Sequence, residues 1–260
     1  MKNVKEKHVF VDVDNTLLVA KSLGSFSPYD LLDDEERSVP LPLRKKLKDS
    51  YQEEITEALK KLMDENPVFT WTDGDPSEYE QSMKDTVLKE YAIRAGYVPV
   101  DFDDGDRYIV APRPGAKEFI EKLQGLVDHV WVCSTATGDY LDLALGEVMG
   151  IKDMFEGIID RYTLYGSVDG VRDCWTWDGA PKFVLIDDLP PGSCGIADKL
   201  TFLGLELNGI KMSGWNQSEE DKATVEKHLV TADSYDYPAP SDVYLEKAFE
   251  EIKSKIEAMG

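Results

Sequence analysis

Three short apolar runs constrain the fold of this chain more than any other feature, because each stops abruptly at acidic or hydroxyl residues. Val9-Phe10-Val11 runs into Asp12-Val13-Asp14-Asn15-Thr16. The stretch HVWVC, 129–133, runs into Ser134-Thr135, and FVLI, 183–186, runs into Asp187-Asp188. Short runs rich in Val, Ile and aromatic residues read as buried strands. Helical patterns lie between them, and strands alternating with helices predict an α/β fold with a mostly parallel sheet.

The segments between the strands divide the chain. In 40–66 the apolar residues Leu47, Tyr51, Ile55, Leu59 and Leu62 recur at spacings of three and four, which predicts an amphipathic helix closed by Pro67. A second helix is expected over 77–95, with Gly96 as its stop. A turn and a short strand at 108–110 follow. The alternation then becomes regular, with a helix at 115–125, the strand 129–133, a helix at 140–149 stopped by Gly150, and a strand within 155–161. The stretch 165–181 is irregular, and its Trp175 and Trp177 read as packing residues. After the strand 183–186, FLGLELNG (202–209) reads as a strand or turn, and 219–228 and 241–259 as helices. We therefore expect an α/β core from 1–19 and 108–214. The helical block 20–107 is an inserted cap, and 215–260 is a helical extension packed on the core.

Composition narrows the class. With 260 residues, 42% hydrophobic and 31% charged, the chain has the make-up of a soluble globular protein. No apolar run approaches the roughly 20 residues of a membrane helix, and the charged start MKNVKEKH is not a secretory signal. Cys133, Cys174 and Cys194 are odd in number and lack CxxC spacing, as expected of a reduced, cytoplasmic protein. Cys133 reads as a small buried strand residue. His8, His129 and His228 are scattered rather than spaced as a zinc cluster, and His8 and His129 precede their strands. The formal charge of −22 disfavours extended nucleic-acid binding, but is compatible with a small phosphorylated ligand held through a divalent cation.

The strand ends carry the chemistry. In an open parallel sheet, ligands bind beyond the carboxyl ends of the strands. If the three strands are neighbours, Asp12, Asp14, Asp187 and Asp188 meet beside Ser134. Four such carboxylates cannot all stay ionised without a cation, and oxygen donors of this kind suit Mg²⁺. Asp12 and Asp14, two apart on a chain leaving an extended strand, can divide the work. One carboxylate can reach the metal and attack an electrophile, and the other can act as general acid and base. Asn15 and Thr16 suit the tight turn that follows. Ser134 and Thr135 could alternatively be helix N-caps.

VFVDVDNT resembles the DxDxT signature of the haloacid dehalogenase (HAD) superfamily of aspartate-nucleophile phosphotransferases. The strand before Ser134 resembles its second motif and VLIDD its fourth, in matching order over 8–20 and 108–190. PRPGAKEFIEKL is similar to a segment of the CTD-phosphatase-like branch, and VWVCST to deoxyribonucleotidases. The resemblance implies a Rossmann-like three-layer core with an inserted helical cap, and a Mg²⁺-dependent phosphatase acting on a phosphomonoester through an aspartyl-phosphate. It implies Asp12 as the nucleophile and Asp14 as the acid and base, its backbone carbonyl also on Mg²⁺. Ser134 would bond the phosphoryl group, and Asp187, Asp188 or both would complete the metal shell with Asp12. The substrate would be a small phosphorylated compound, such as a nucleotide, or a phosphorylated peptide.

One motif departs from the pattern. The family supplies a lysine, sometimes an arginine, to neutralise nucleophile and phosphate. The segment 155–181 contains Arg161 and Arg172 but no lysine. Lys182 lies five strand residues before Asp187, about 16 Å at 3.3 Å per residue. Arg172 is therefore expected to take the role, with Arg161 as runner-up, since Arg can hold phosphate bidentately. The missing lysine favours an alternative, a catalytically weak binding protein on the same fold. A dehalogenase is opposed by Asp14, because that reaction needs no acid for an ester leaving group.

Overall fold

The computed structural model describes residues 6–66, 76–101, 107–166, 182–190, 193–203, 219–234 and 243–259. In chain order, β1 (Lys7–Val11) leads through a tight loop to β2 (Leu18–Ser22). Helices α1 (Asp34–Ser38), α2 (Leu41–Glu65) and α3 (Pro76–Arg94) follow, then β3 (Val98–Asp101) and β4 (Arg107–Pro112). Next come α4 (Ala116–Gln124), β5 (His129–Cys133), α5 (Gly138–Asp142), β6 (Ile158–Ile159) and α6 (Arg161–Tyr165). The chain ends with β7 (Lys182–Asp187), α7 (Cys194–Phe202), α8 (Glu219–His228), β8 (Leu229–Thr231) and α9 (Val243–Ala258).

The central sheet has the order β6-β5-β1-β7-β8, and every pairing in it is parallel. The chain steps from β1 outward through β5 to β6, then crosses back to β7 on the other side of β1 and on to β8. This is a doubly wound sheet, whose winding reverses beside β1. Both faces are covered, so its strands are apolar on both sides. Phe10, Cys133, Phe183 and Leu185 turn to one face, where they cluster with Leu164, Ile196, Leu200, Leu203 and Val225 from α6, α7 and α8 and the turn after α7. The alternating residues Val9, Val11, Val132, Val184 and Ile186 are equally buried on the other face, where α4 and α9 lie. The fold is therefore an α/β three-layer arrangement with a mostly parallel central sheet.

The chain divides into two compact units. The first comprises 1–19, 112–236 and 241–260 and contains this sheet. The second comprises 20–111 and 237–240, and takes in the strand expected at 108–110. There α2 packs on α3, and β2, β4 and β3 form a small sheet. Helix α2 ends where Asn66 N–H bonds the Leu62 carbonyl, and Pro67, the expected stop, lies outside the described residues. Gly96, at φ +88°, supplies the left-handed turn after α3.

Some expected elements differ. The strand within 155–161 shrinks to Ile158–Ile159, because the next residue, Asp160, caps α6, its carboxylate accepting from Thr163 N at 2.8 Å. Phe202, expected in a strand or turn, ends α7. The turn before β4 and the irregular segment with Arg172, Trp175 and Trp177 lie outside the described residues.

Candidate active site

The site forms where β1 and β7 end side by side. Val11 pairs with Ile186, and Asp12 N–H still bonds the Ile186 carbonyl at 2.9 Å, so the Asp12 backbone is fixed by the ladder. Its carboxylate is buried. Beyond it the chain folds back around the Val13 carbonyl, which accepts from the N–H groups of Thr16, Leu17 and Leu18. This loop needs a left-handed residue, and Asn15 supplies it at φ +57°. The return brings Thr16 Oγ1 to donate to Asp12 Oδ2 at 3.3 Å. Arg113, buried in the sequence PRPG, braces the loop. Its Nη1 donates to the Thr16 carbonyl and its backbone N–H to the Leu17 carbonyl, both at 2.9 Å.

From β7, Asp187 is fully buried. Its Oδ1 accepts from Leu189 N–H at 2.9 Å. Its Oδ2 accepts at 2.6 Å from Lys199 Nζ, and the same ammonium donates to Asp12 Oδ1 at 2.7 Å. Lys199 is therefore the cation at the centre of the site, 1% exposed. From chain spacing, that cation is expected before the last strand, at Arg172 or Arg161. The structure places a lysine after that strand, on α7, where no helix is expected from the sequence. A signal was present: Lys199 lies three residues after Ile196 and one before Leu200, so it rides the apolar face of GIADKLTF. Arg161 is committed elsewhere, its Nε donating to the Thr135 carbonyl at 2.6 Å and its backbone N–H to the Ala136 carbonyl at 2.8 Å.

The Tyr140 hydroxyl donates to Asp14 Oδ1. Ser134 leaves β5 beside β1 and is buried. Its Oγ accepts from Ala136 N–H at 3.2 Å, which shapes the loop rather than capping a helix. The helix cap position of α5 belongs to Thr137.

Among the described residues, one cation is shared among several acids, and the electrostatics follow from it. Burial pushes Asp12 up; Lys199 opposes this and Asp187 adds to it, leaving Asp12 at about 7. Burial also raises Asp14, against the opposing bond from Tyr140 and the pull of Lys199. Burial, then Asp187, raises Asp188. Burial works against the charge on Lys199, but Asp12 and Asp187 outweigh it and hold the ammonium well above the ordinary lysine range. The Cys133 thiol, behind the site, is pushed up to about 12 by burial, so it is inert core rather than a nucleophile.

The donor set fits a hard divalent ion. Carboxylate oxygens of Asp12, Asp187 and Asp188 lie within 4.8 Å of one another, and among the described residues these acids outnumber the one lysine bonded to them. The Asp14 carboxylate is not in this group, which leaves its backbone carbonyl as its route to a metal. A second group, Glu6, His8 and His129, lies at the opposite end of the strands. There Trp131 Nε1 donates to His8 Nδ1 at 3.3 Å, so the neutral ring carries its proton on Nε2 and offers no lone pair without losing that bond.

Fold and site together define an α/β protein with an acidic centre, bridged by lysine, at the point where the winding of its sheet reverses. No protein-family model matches the sequence, and no curated protein matches it either. Among solved structures, the chain is similar to Fcp1, an essential RNA polymerase II CTD phosphatase, at 15% identity and a TM-score of 0.39, covering 98% of this chain and 49% of that one. A fission yeast Fcp1 variant bound to beryllium fluoride matches at 14% and 0.39, over 98% and 51%. YfnB of Bacillus subtilis, described as a HAD-hydrolase and bound to magnesium, matches at 14% and 0.29, over 71% and 79%. The chain thus spans about half the length of the two Fcp1 structures. With TM-scores this low, the functional reading rests on the geometry of the chain itself.

Proposed function

We propose that this protein is a Mg²⁺-dependent phosphatase of the HAD type, which hydrolyses a phosphomonoester through an aspartyl-phosphate on Asp12. The observation that carries the reading is the Lys199 ammonium bonded to both Asp12 and Asp187, directly beyond β1 and β7. A buried carboxylate flanked by a fixed cation can approach an anionic phosphoryl group, which an unpaired one would repel.

The residues divide as follows. Asp12, its oxygens held by Lys199 and Thr16, attacks phosphorus. Asp14, its acidity weakened by burial, protonates the departing oxygen and then takes a proton from the water that cleaves the acyl phosphate. Ser134 and Lys199 offer donors to the phosphoryl oxygens. Asp12, Asp187, Asp188 and the Asp14 carbonyl would hold Mg²⁺, which supplies charge stabilisation for the transferring group. The substrate is a small phosphomonoester or a phosphorylated peptide.

The test is hydrolysis of a panel of nucleotides, sugar phosphates and a phosphoserine peptide, with and without Mg²⁺. Mg²⁺-dependent turnover that Asp12→Asn abolishes is expected. Turnover that survives in that variant would remove Asp12 as the nucleophile.

A further inference from the structure

To protonate a leaving group, Asp14 must present its proton on the oxygen that faces the substrate. A carboxyl group has two oxygens, and one free to turn would present the proton on either. Here the Tyr140 hydroxyl donates to Oδ1. In the neutral acid, an oxygen accepting such a bond is the carbonyl-type oxygen, so the proton belongs on Oδ2.

Tyr140 is itself held in place. Helix α5 leaves the Ser134 loop, and Leu141, next to Tyr140, is fully buried with its N–H on the Thr137 carbonyl at 3.0 Å. At Gly138 an added Cβ would stand 3.1 Å from Asp160 Oδ2, so the lack of a side chain lets the start of α5 close on the residue that caps α6. The Arg161 N–H bond to the Ala136 carbonyl ties the same loop from the other side. The phenol is thus carried by an element anchored to the strand end that bears Ser134.

We propose that Tyr140 is a positioning residue for the general acid, holding the Asp14 carboxyl in one orientation with its transferable proton on Oδ2. This role rests on the phosphatase reading above. In the first step Asp12 forms a bond to phosphorus and the bond from phosphorus to the ester oxygen breaks. The Oδ2 proton passes to that oxygen, which leaves as the alcohol. Tyr140 keeps its own proton, and its bond to Oδ1 strengthens as Asp14 gains negative charge.

The experiment measures kcat/KM for Tyr140→Phe on phosphomonoesters whose leaving groups run from alkyl alcohols to p-nitrophenol. This ratio reports the steps up to leaving-group departure. Alkyl esters, which need the acid, should lose about ten- to a hundredfold, while p-nitrophenyl phosphate should stay within about threefold. The plot of log(kcat/KM) against leaving-group pKa should steepen. An equal loss along the whole series, or none, would overturn the role, since a general structural defect slows all esters alike. Adding Tyr140→Phe to Asp14→Asn gives a second readout: no further loss on alkyl esters is expected, and additive losses would refute the pairing. A wild-type protein inactive on every ester would instead bring down the phosphatase reading, and this role with it.

Discussion

Lys199 Nζ stands 2.7 Å from Asp12 Oδ1 although 187 residues separate them, and it also reaches Asp187 at 2.6 Å. One buried ammonium therefore serves two buried carboxylates, and its charge also opposes the burial that raises Asp12, Asp14 and Asp188.

Removing the shared charge should harm stability and catalysis together. Lys199→Met leaves Asp12 and Asp187 buried without their partner, and breaking a buried pair in this way costs about 3–5 kcal/mol. Urea denaturation of the metal-free variant at pH 8 should show that loss, and turnover should fall by at least about a hundredfold. Lys199→Arg is not expected to rescue it, because a planar guanidinium does not fit where a compact ammonium sits. A variant with wild-type stability and activity would show that the ammonium is dispensable.

Neutralising Asp12, the proposed nucleophile, should have the opposite effect on stability. Asp12 is raised to about 7, so at pH 8 the folded metal-free protein carries an ionised group that its surroundings disfavour. Asp12→Asn removes that penalty while Lys199 keeps Asp187. Calorimetry at pH 8 without metal should give a melting temperature a few degrees above wild type, in a protein that no longer turns over. A drop of several degrees would mean that Asp12 stabilises the ionised site.

The sign of the Asp12 shift also fixes how metal binding depends on pH. A carboxylate raised in the fold adds stability below its ordinary value near 3.8, and that contribution is lost as pH rises through about 7. Below pH 7 a divalent ion must displace the proton. Mg²⁺ affinity, read by calorimetric titration, should weaken by up to about tenfold per pH unit below 7 and level off above 8. Affinity that stays flat from pH 5.5 to 8 would remove Asp12 from the metal shell.

The loop after β1 offers a test away from the charges. Asn15 holds φ +57°, a region that β-branched residues avoid. Asn15→Val should destabilise the protein by about 1–2 kcal/mol and slow turnover by moving Thr16 from Asp12, whereas Asn15→Gly should fold at least as well. Equal stabilities for the two variants would show that the loop relaxes to another conformation.

What was legible in the sequence was local. Val9-Phe10-Val11, HVWVC and FVLI announce strands because their residue types suit a sheet buried on both faces, and the acids at their ends stand out because such strands exclude them. Strands β2, β3 and β8 are not legible, because none is a continuous buried apolar run: β2 is LVAKS, half-buried beyond Leu18, and β3 and β8 are only four and three residues long. The Asp14–Tyr140 bond was hidden for a similar reason: on the page, Tyr140 is one aromatic residue near the start of a helix.

The sequence by itself determined the class of fold and put Asp12, Asp14, Ser134, Asp187 and Asp188 at strand ends, because strand propensity and the break between apolar and acidic residues act over a few neighbours. Only the tertiary structure decided which cation completes the centre. Lys199 is turned inward by the packing of Ile196, Leu200 and Leu203 against the sheet, and its charge is tolerated there because two carboxylates from β1 and β7 already wait at that depth. Spacing along the chain cannot encode that choice, since a buried charge is placed by whatever surrounds it in three dimensions.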